Sequence, residues 1–308
     1  MVDSYLNTYN GKKVDIAPFK ELYPFKSNWI TINGLNYHYL DEGPRTAPTL
    51  IMVHGNPTWS FYYRKLISEF SDEYRVIVPD HIGCGLSDKP QKYEYNIDQH
   101  IENLEYLLEH LNIENPVTMV MHDWGGGIGM GYATRHPRKI SKFVIFNTAA
   151  FMLSSIPKSI RICRSNRFGG FLVRRLNVFL KGALRFGTSR RTQFTEAVKA
   201  GYLAPYNSWK NRIAIHRFVQ EIPLEKNHPT RDIIDNVESG LTQFQNHPMI
   251  IIWGADDFTF SEKGVLPEWK NRFPDAEINI IQDAGHFIVE DAPEEIIHLM
   301  GNFLKNHT

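Results

Sequence analysis

Apolar positions along this chain follow two periods, and the change from one to the other outlines a fold. Trp29, Ile30 and Ile32 on one side of Asn33–Gly34, and Leu35, Tyr37, Tyr39 and Leu40 on the other, lie in short runs interrupted by polar residues. Asn-Gly between two such runs predicts a β-hairpin. Short, almost unbroken apolar runs then recur at 49–53, 75–78, 117–121, 143–146, 249–253 and 278–281. They read as strands buried on both faces. Between them the period lengthens: Ile97, Ile101, Leu104, Leu108 and Leu111 fall on one face of a helix, with Asn96 placed to cap its N-terminus. A hairpin followed by strand–helix alternation predicts an α/β fold, a mostly parallel twisted sheet flanked by helices on both faces. The alternation stops near residue 150 and resumes near 247, and the residues between carry helical patterns and no convincing strand. They are read as an inserted α-helical cap over 151–230, with 1–150 and 231–308 forming the core. Residues 1 to about 25 are mixed and proline-punctuated, and read as an N-terminal extension packed on that core.

Composition narrows the class. The chain has 308 residues, 42% of them apolar, enough for a sizeable core, and its 34 Lys+Arg balance 34 Asp+Glu. Zero net charge gives no general affinity for nucleic acid. No basic segment followed by an apolar stretch opens the chain, and no apolar run approaches the length of a membrane span, so a cytoplasmic protein is expected. Cys84 and Cys163 are far apart and fit two free thiols in a reducing compartment. One segment departs from the balance: residues 158–191 hold ten Lys or Arg and no acid, interleaved with Phe171, Leu172, Leu176, Phe179 and Leu184. Such a stretch is either the solvated face of a cap helix or a contact with a membrane surface, a second copy or a partner enzyme.

The chemistry gathers where the runs end. The run 117–121 stops at His122-Asp123-Trp124-Gly125-Gly126-Gly127, after which a helical pattern continues through Tyr132. A buried strand, a sharp glycine-lined turn and a helix hold one side chain, Asp123, at the apex. His54-Gly55-Asn56-Pro57 follows the run 49–53, Gly254-Ala255-Asp256-Asp257 follows 249–253, and Asp283-Ala284-Gly285-His286 follows 278–281. The carboxyl ends of parallel strands are the edge where open α/β sheets bind ligands. A lone Asp after a strand is ordinarily a turn or capping residue. Here, however, the order is Asp123, then an acid at 256 or 257, then His286, which is the chain order nucleophile, acid, histidine. No two histidines share a helical i,i+4 spacing with a glutamate, so no metal site is read, and no cofactor is called for.

Together, His122-Asp123-Trp124-Gly125-Gly126, His54-Gly55-Asn56-Pro57, Asp257 and His286 resemble the haloalkane dehalogenases of the α/β-hydrolase superfamily. The likeness extends to Asn56-Pro57-Thr58-Trp59-Ser60-Phe61-Tyr62-Tyr63-Arg64, to Asp80-His81-Ile82-Gly83-Cys84-Gly85-Leu86-Ser87-Asp88 and to Asn147-Thr148-Ala149-Ala150-Phe151. These are closest to a branch that also contains the β-lactone decarboxylases of bacterial long-chain olefin biosynthesis. The resemblance implies an α/β-hydrolase fold and hydrolysis of carbon–halogen bonds. Asp123 would displace halide to form an alkyl ester, and His286, oriented by Asp257, would activate the water that cleaves it. It also assigns Asn56 and Trp124 as the halide-binding pair, with their backbone N–H groups as the oxyanion hole, and Asp257 as the acid three residues after Gly254. The expected partners are a small apolar substrate and a halide ion. β-Lactone decarboxylation stands as the alternative on the same residues. Epoxide hydrolysis is a further one, because epoxide hydrolases share the elbow and use cap tyrosines, and Tyr202 and Tyr206 are present. A non-enzymatic relative would be expected to lack a triad member, and all three positions are filled.

Overall fold

The computed structural model describes residues 6–9, 12–153, 155–189 and 192–307. Among these, the strands are β1 (Leu6–Tyr9), β2 (Lys12–Asp15), β3 (Ser27–Ile32), β4 (Leu35–Glu42), β5 (Thr49–Val53), β6 (Arg75–Pro79), β7 (Val117–Asp123), β8 (Ile140–Thr148), β9 (Met249–Gly254) and β10 (Glu277–Ile281). The first helices are α1 (Arg64–Phe70), α2 (Ile97–His110) and α3 (Trp124–Arg135). Between β8 and β9 come α4 (Lys158–Cys163), the short α5 (Phe168–Gly170), which runs on into a wider turn over Phe171–Arg175, α6 (Val178–Phe186), α7 (Glu196–Leu203), α8 (Ile213–Gln220) and α9 (Pro229–Gly240). The last are α10 (Leu266–Arg272), α11 (Ile288–Asp291) and α12 (Pro293–Asn306).

Eight strands make one sheet in the order β10-β9-β8-β7-β5-β6-β4-β3. It is parallel from β10 to β6 and antiparallel at β6–β4 and β4–β3. Every residue of β5, β6, β7 and β9 is buried, which is why those strands read as unbroken apolar runs. Alternate side chains still go to opposite faces. Ile51, Val53, Met119, Met121 and Ile251 join the core under α2, α3 and α9, whereas Leu50, Met52, Val120 and Ile250 join the core under α1 and α12. The Asn33–Gly34 turn has both φ angles positive, as a two-residue hairpin requires. Asn96 caps α2 by accepting the Gln99 N–H at 2.8 Å.

One feature departs from the sequence reading. The N-terminal extension contains a two-stranded antiparallel pair, β1–β2, where no strand was expected. These four-residue strands are too short and too polar to carry a period. The extension is held by Phe19 and Tyr23, buried against Trp59 and Phe61. The last helix before β9 starts at Pro229, capped by His228, and packs on α2 and α3. Between β8 and β9 the described residues form no strand. Met1 to Tyr5, Asn10 and Gly11 of the extension and Arg190 and Arg191 of the basic stretch lie outside the described residues.

Candidate active site

β7 runs straight into α3, and Asp123 sits at the junction with φ +52° and ψ −129°. Left-handed backbone is costly for a side-chain-bearing residue, and such strain persists only where the surroundings over-determine it. The neighbouring glycines do this by letting backbones approach. A Cβ on Gly55 would collide with the Asp123 carboxylate, one on Gly125 with the Val53 carbonyl, and one on Gly126 with the Thr148 side chain. The Thr148 hydroxyl donates to the Asp123 carbonyl. The two carboxylate oxygens are consequently unlike. Oδ1 accepts the backbone N–H of Asn56 at 2.5 Å, and the Trp124 amide also donates to the carboxylate. Oδ2 faces His286 Nε2 at 3.6 Å. Burial pushes the Asp123 carboxyl above the usual carboxylate range, although His286 and the two amides pull it back.

His286 stands opposite on the turn after β10. Its Nδ1 lies 2.9 Å from Asp257 Oδ2. The other oxygen of Asp257 accepts the N–H groups of Thr259 at 2.6 Å and Phe260 at 3.1 Å, which fixes the carboxylate. Burial alone would lower the His286 pKa; the charges of Asp257 and Asp123 and the bond to Asp257 outweigh it and raise it above the ordinary imidazole value. Asp257 is buried and Asp256 is exposed, so of the two acids left open by position only Asp257 touches the histidine. Beneath lies His122, stacked on Tyr62 with ring centroids 4.6 Å apart, its Nε2–H donating to the His286 carbonyl at 2.8 Å.

Asn56 and Trp124 both line the cavity that opens above Asp123 and His286. Asn56 Nδ2 spends one N–H on the Ile215 carbonyl of α8 at 3.2 Å, which leaves its second N–H for a ligand. The cavity holds about 660 Å³, in the upper half of the usual range for small-molecule sites. Its walls are mainly apolar, with Ile160, Phe179 and Ala183 from the inserted helices and Val219 from α8.

Two supports of this site went unread in the sequence. Asp80, after β6, accepts the N–H groups of Ser60 at 2.7 Å and Leu86 at 2.8 Å and pairs with His38 Nδ1 at 2.8 Å, knotting together the loops beside Asn56. Burial would raise its pKa, but His38, His54 and the Leu86 amide bring it down to about 2. The second is Glu290, four residues after His286, gripped by both arms of Arg64 at 2.5 and 2.8 Å and by the Tyr202 hydroxyl at 2.6 Å. Tyr202 also stacks on Phe287. These contacts join residues up to 226 positions apart, beyond the reach of any local pattern. They also correct one expectation. Tyr202 and Tyr206 are fully buried and absent from the cavity wall, and the Tyr206 hydroxyl donates to the Thr58 carbonyl at 3.1 Å. Neither is placed to open an epoxide.

A parallel sheet with an acid elbow after its fifth strand and an acid-oriented histidine at the same edge defines an α/β hydrolase. The family model for the alpha/beta hydrolase fold matches residues 48–293, and the chain belongs to that enzyme family. Within it, the chain is 43% identical to the cis-3-alkyl-4-alkyloxetan-2-one decarboxylase of Shewanella oneidensis, over 92% of this chain and 89% of that protein. It is 40% identical to the decarboxylase of the same name from Xanthomonas campestris pv. campestris, over 97% of both. A haloalkane dehalogenase of Mycobacterium tuberculosis is 31% identical over 92% of this chain and 96% of its own. The crystal structure of a haloalkane dehalogenase from Bradyrhizobium elkani superposes with a TM-score of 0.83 at 22% identity, covering 92% of this chain and 98% of that one, which speaks to the fold. The comparisons thus place the lactone reading above the dehalogenase reading. No described helix is long and apolar enough to cross a membrane.

Proposed function

We propose that this chain decarboxylates cis-3,4-dialkyl β-lactones (oxetan-2-ones) to cis-alkenes and carbon dioxide. The observation that carries the reading is the full-length similarity to two decarboxylases of that name, at 43% and 40% against 31% for the dehalogenase. The large apolar cavity supports it, because such a substrate carries two alkyl arms. Residues 151–230 are proposed as the cap that closes this cavity and 1–150 with 231–308 as the core beneath it.

The geometry supports a role for each residue. With Oδ1 held by the Asn56 amide and the carboxylate also bonded by the Trp124 amide, Asp123 Oδ2 attacks the alkyl-bearing C4 of the lactone in line, and the C4–O bond breaks. The freed carboxylate is received by the indole N–H of Trp124 and the remaining amide N–H of Asn56, the pair that would hold halide in a dehalogenase. The C2–C3 bond then breaks, carbon dioxide leaves, C3=C4 forms, and Asp123 departs as its carboxylate. Inversion at C4 followed by anti elimination carries a cis lactone to a cis alkene. No water is consumed and no net proton moves, so His286 and Asp257 serve here to balance and orient the Asp123 charge. With a haloalkane the intermediate has no carboxylate to lose, and His286 must activate water to release it. That second reading, hydrolytic dehalogenation, is favoured by the same N–H pair and the 31% relative.

Product analysis tests the choice. With a long-chain cis β-lactone, alkene and carbon dioxide are expected in equal amounts, at a kcat/KM well above that for any bromoalkane. A higher kcat/KM for bromoalkanes, with alcohol and bromide as products and the lactone unconverted, would return the chain to the dehalogenases.

A further inference from the structure

The helices over the cavity present a surface that the reaction does not use. Phe168, Phe171, Leu176 and Phe186 are 61%, 53%, 47% and 66% exposed, and Ile162 and Val178 are also exposed. Lys158, Arg161, Arg167, Arg175, Lys181 and Arg185 are exposed among them, and no acid occurs from 155 to 189. Among the described residues, three cations of the segment are engaged: Arg164 pairs with Glu225, Arg174 lies 3.6 Å over the Trp209 ring, and Arg185 lies 5.5 Å over the Phe186 ring. Arg161, Arg167, Arg175 and Lys181 form no ion pair among the described residues. Part of the patch reaches the cavity mouth, where the exposed Val178 and Phe186 of α6, with Phe258 opposite, line the cavity, whereas Arg175, Leu176 and Lys181 border a second cleft beside Asp15 and Phe19.

We propose that this face docks on the surface of an anionic lipid bilayer, with the cavity mouth turned toward the acyl chains. Aromatic and aliphatic tips among Arg and Lys are what an interfacial helix lays into a headgroup region, the tips entering the acyl boundary and the cations meeting anionic lipid. Contiguous exposed apolar surface of this kind marks an interaction site. A protein docked here would cover the mouth, whereas a bilayer lets an alkyl compound pass from its acyl chains into the cavity without crossing water. The inference extends the functional proposal but is read without turnover, so either can fail alone.

The test is flotation of the full chain with vesicles of phosphatidylcholine alone and vesicles enriched in phosphatidylglycerol. Binding is expected to the anionic vesicles and to be released by salt. The variant Arg161→Glu/Arg167→Glu/Arg175→Glu should lose about fivefold or more in partitioning per site. Phe168→Ser/Phe171→Ser should weaken binding at low salt as well. Neither variant touches the cavity, so both should keep wild-type turnover of a short, water-soluble substrate. Phe168→Trp, a conservative change, should show blue-shifted emission when anionic vesicles are added. Absence of binding, equal binding to both vesicle types, undiminished binding by both variants, or capture only by an acidic polypeptide would each overturn the proposal.

Discussion

Asp123 presents two oxygens with different tasks, and the difference comes from where the backbone goes. One accepts the Asn56 amide of the loop after β5; the other looks across 3.6 Å to His286. The histidine owes its raised pKa to Asp257 and Asp123 acting against burial. Replacing Asp257 with Asn removes the larger of those charges and the acceptor that sets the tautomer. Hydrolysis of a bromoalkane, which needs His286 to take a proton from water, should then fall about 10²–10⁴-fold. Decarboxylation of a β-lactone should fall by less than about tenfold, because it transfers no proton. Asp256→Asn, at an exposed position, should change either rate by no more than about twofold. Steady-state kinetics on both substrates reads all of this, and a greater loss from Asp256→Asn would shift the orienting role by one residue. Asp123, His286 and the acid pair were legible in the sequence because each follows an apolar run that can only end at a sheet edge. The choice of Asp257 rested on the resemblance, which puts the acid three residues after Gly254, and burial supplies a physical ground for it. Asn56 was legible as a donor, but its bond to Ile215 was not, since nothing local reports where α8 lies.

Among the elements, the strands at the site came through clearly because complete burial forces continuous apolar runs, whereas β1–β2 left no trace. The inserted helices were visible as helical patterns in a lapse of the alternation, but how they seat on the core depends on side chains that no periodicity reveals. The clearest case is the Arg64–Glu290–Tyr202 cluster, which fastens α1 and α7 to α11, the turn just after His286. Both charged partners are nearly inaccessible. Breaking one side of a buried pair strands the other charge, and Lys65 Nζ, 3.9 Å from Glu290 Oε2 but partly exposed, makes up little of the loss, so Arg64→Met should cost about 3 kcal/mol of stability. Arg64→Met/Glu290→Met should recover much of that loss, because no charge is left behind. Denaturant unfolding monitored by circular dichroism measures both. A single variant as stable as the wild type would mean that Glu290 finds another partner or a proton.

In the whole molecule, the sheet edge and the inserted helices line an apolar cavity that also meets the acid, the histidine and the N–H pair. On the proposed function, chain-length preference would be set by the inserted helices and the chemistry by the sheet edge. Ala183 of α6 lines the wall far from Asp123 in sequence, and Ala183→Phe should fill part of the upper cavity. It should lower kcat/KM for long-arm lactones about tenfold or more while short-arm lactones change little, as expected for uniform binding energy lost from a remote wall. Equal losses on both would mean that the site itself had been distorted. The central claim, that Asp123 is alkylated and then released by loss of carbon dioxide, is tested most directly by many turnovers of a cis β-lactone in oxygen-18 water, followed by mass analysis of the peptide bearing Asp123. Elimination returns the same carboxylate oxygen, so the account predicts cis-alkene and an Asp123 free of the heavy isotope, with no alkene from Asp123→Asn. A bromoalkane run in parallel should label the residue, because water then attacks the ester carbonyl. Heavy oxygen in Asp123 after lactone turnover, accompanied by a β-hydroxy acid in place of the alkene, would contradict it.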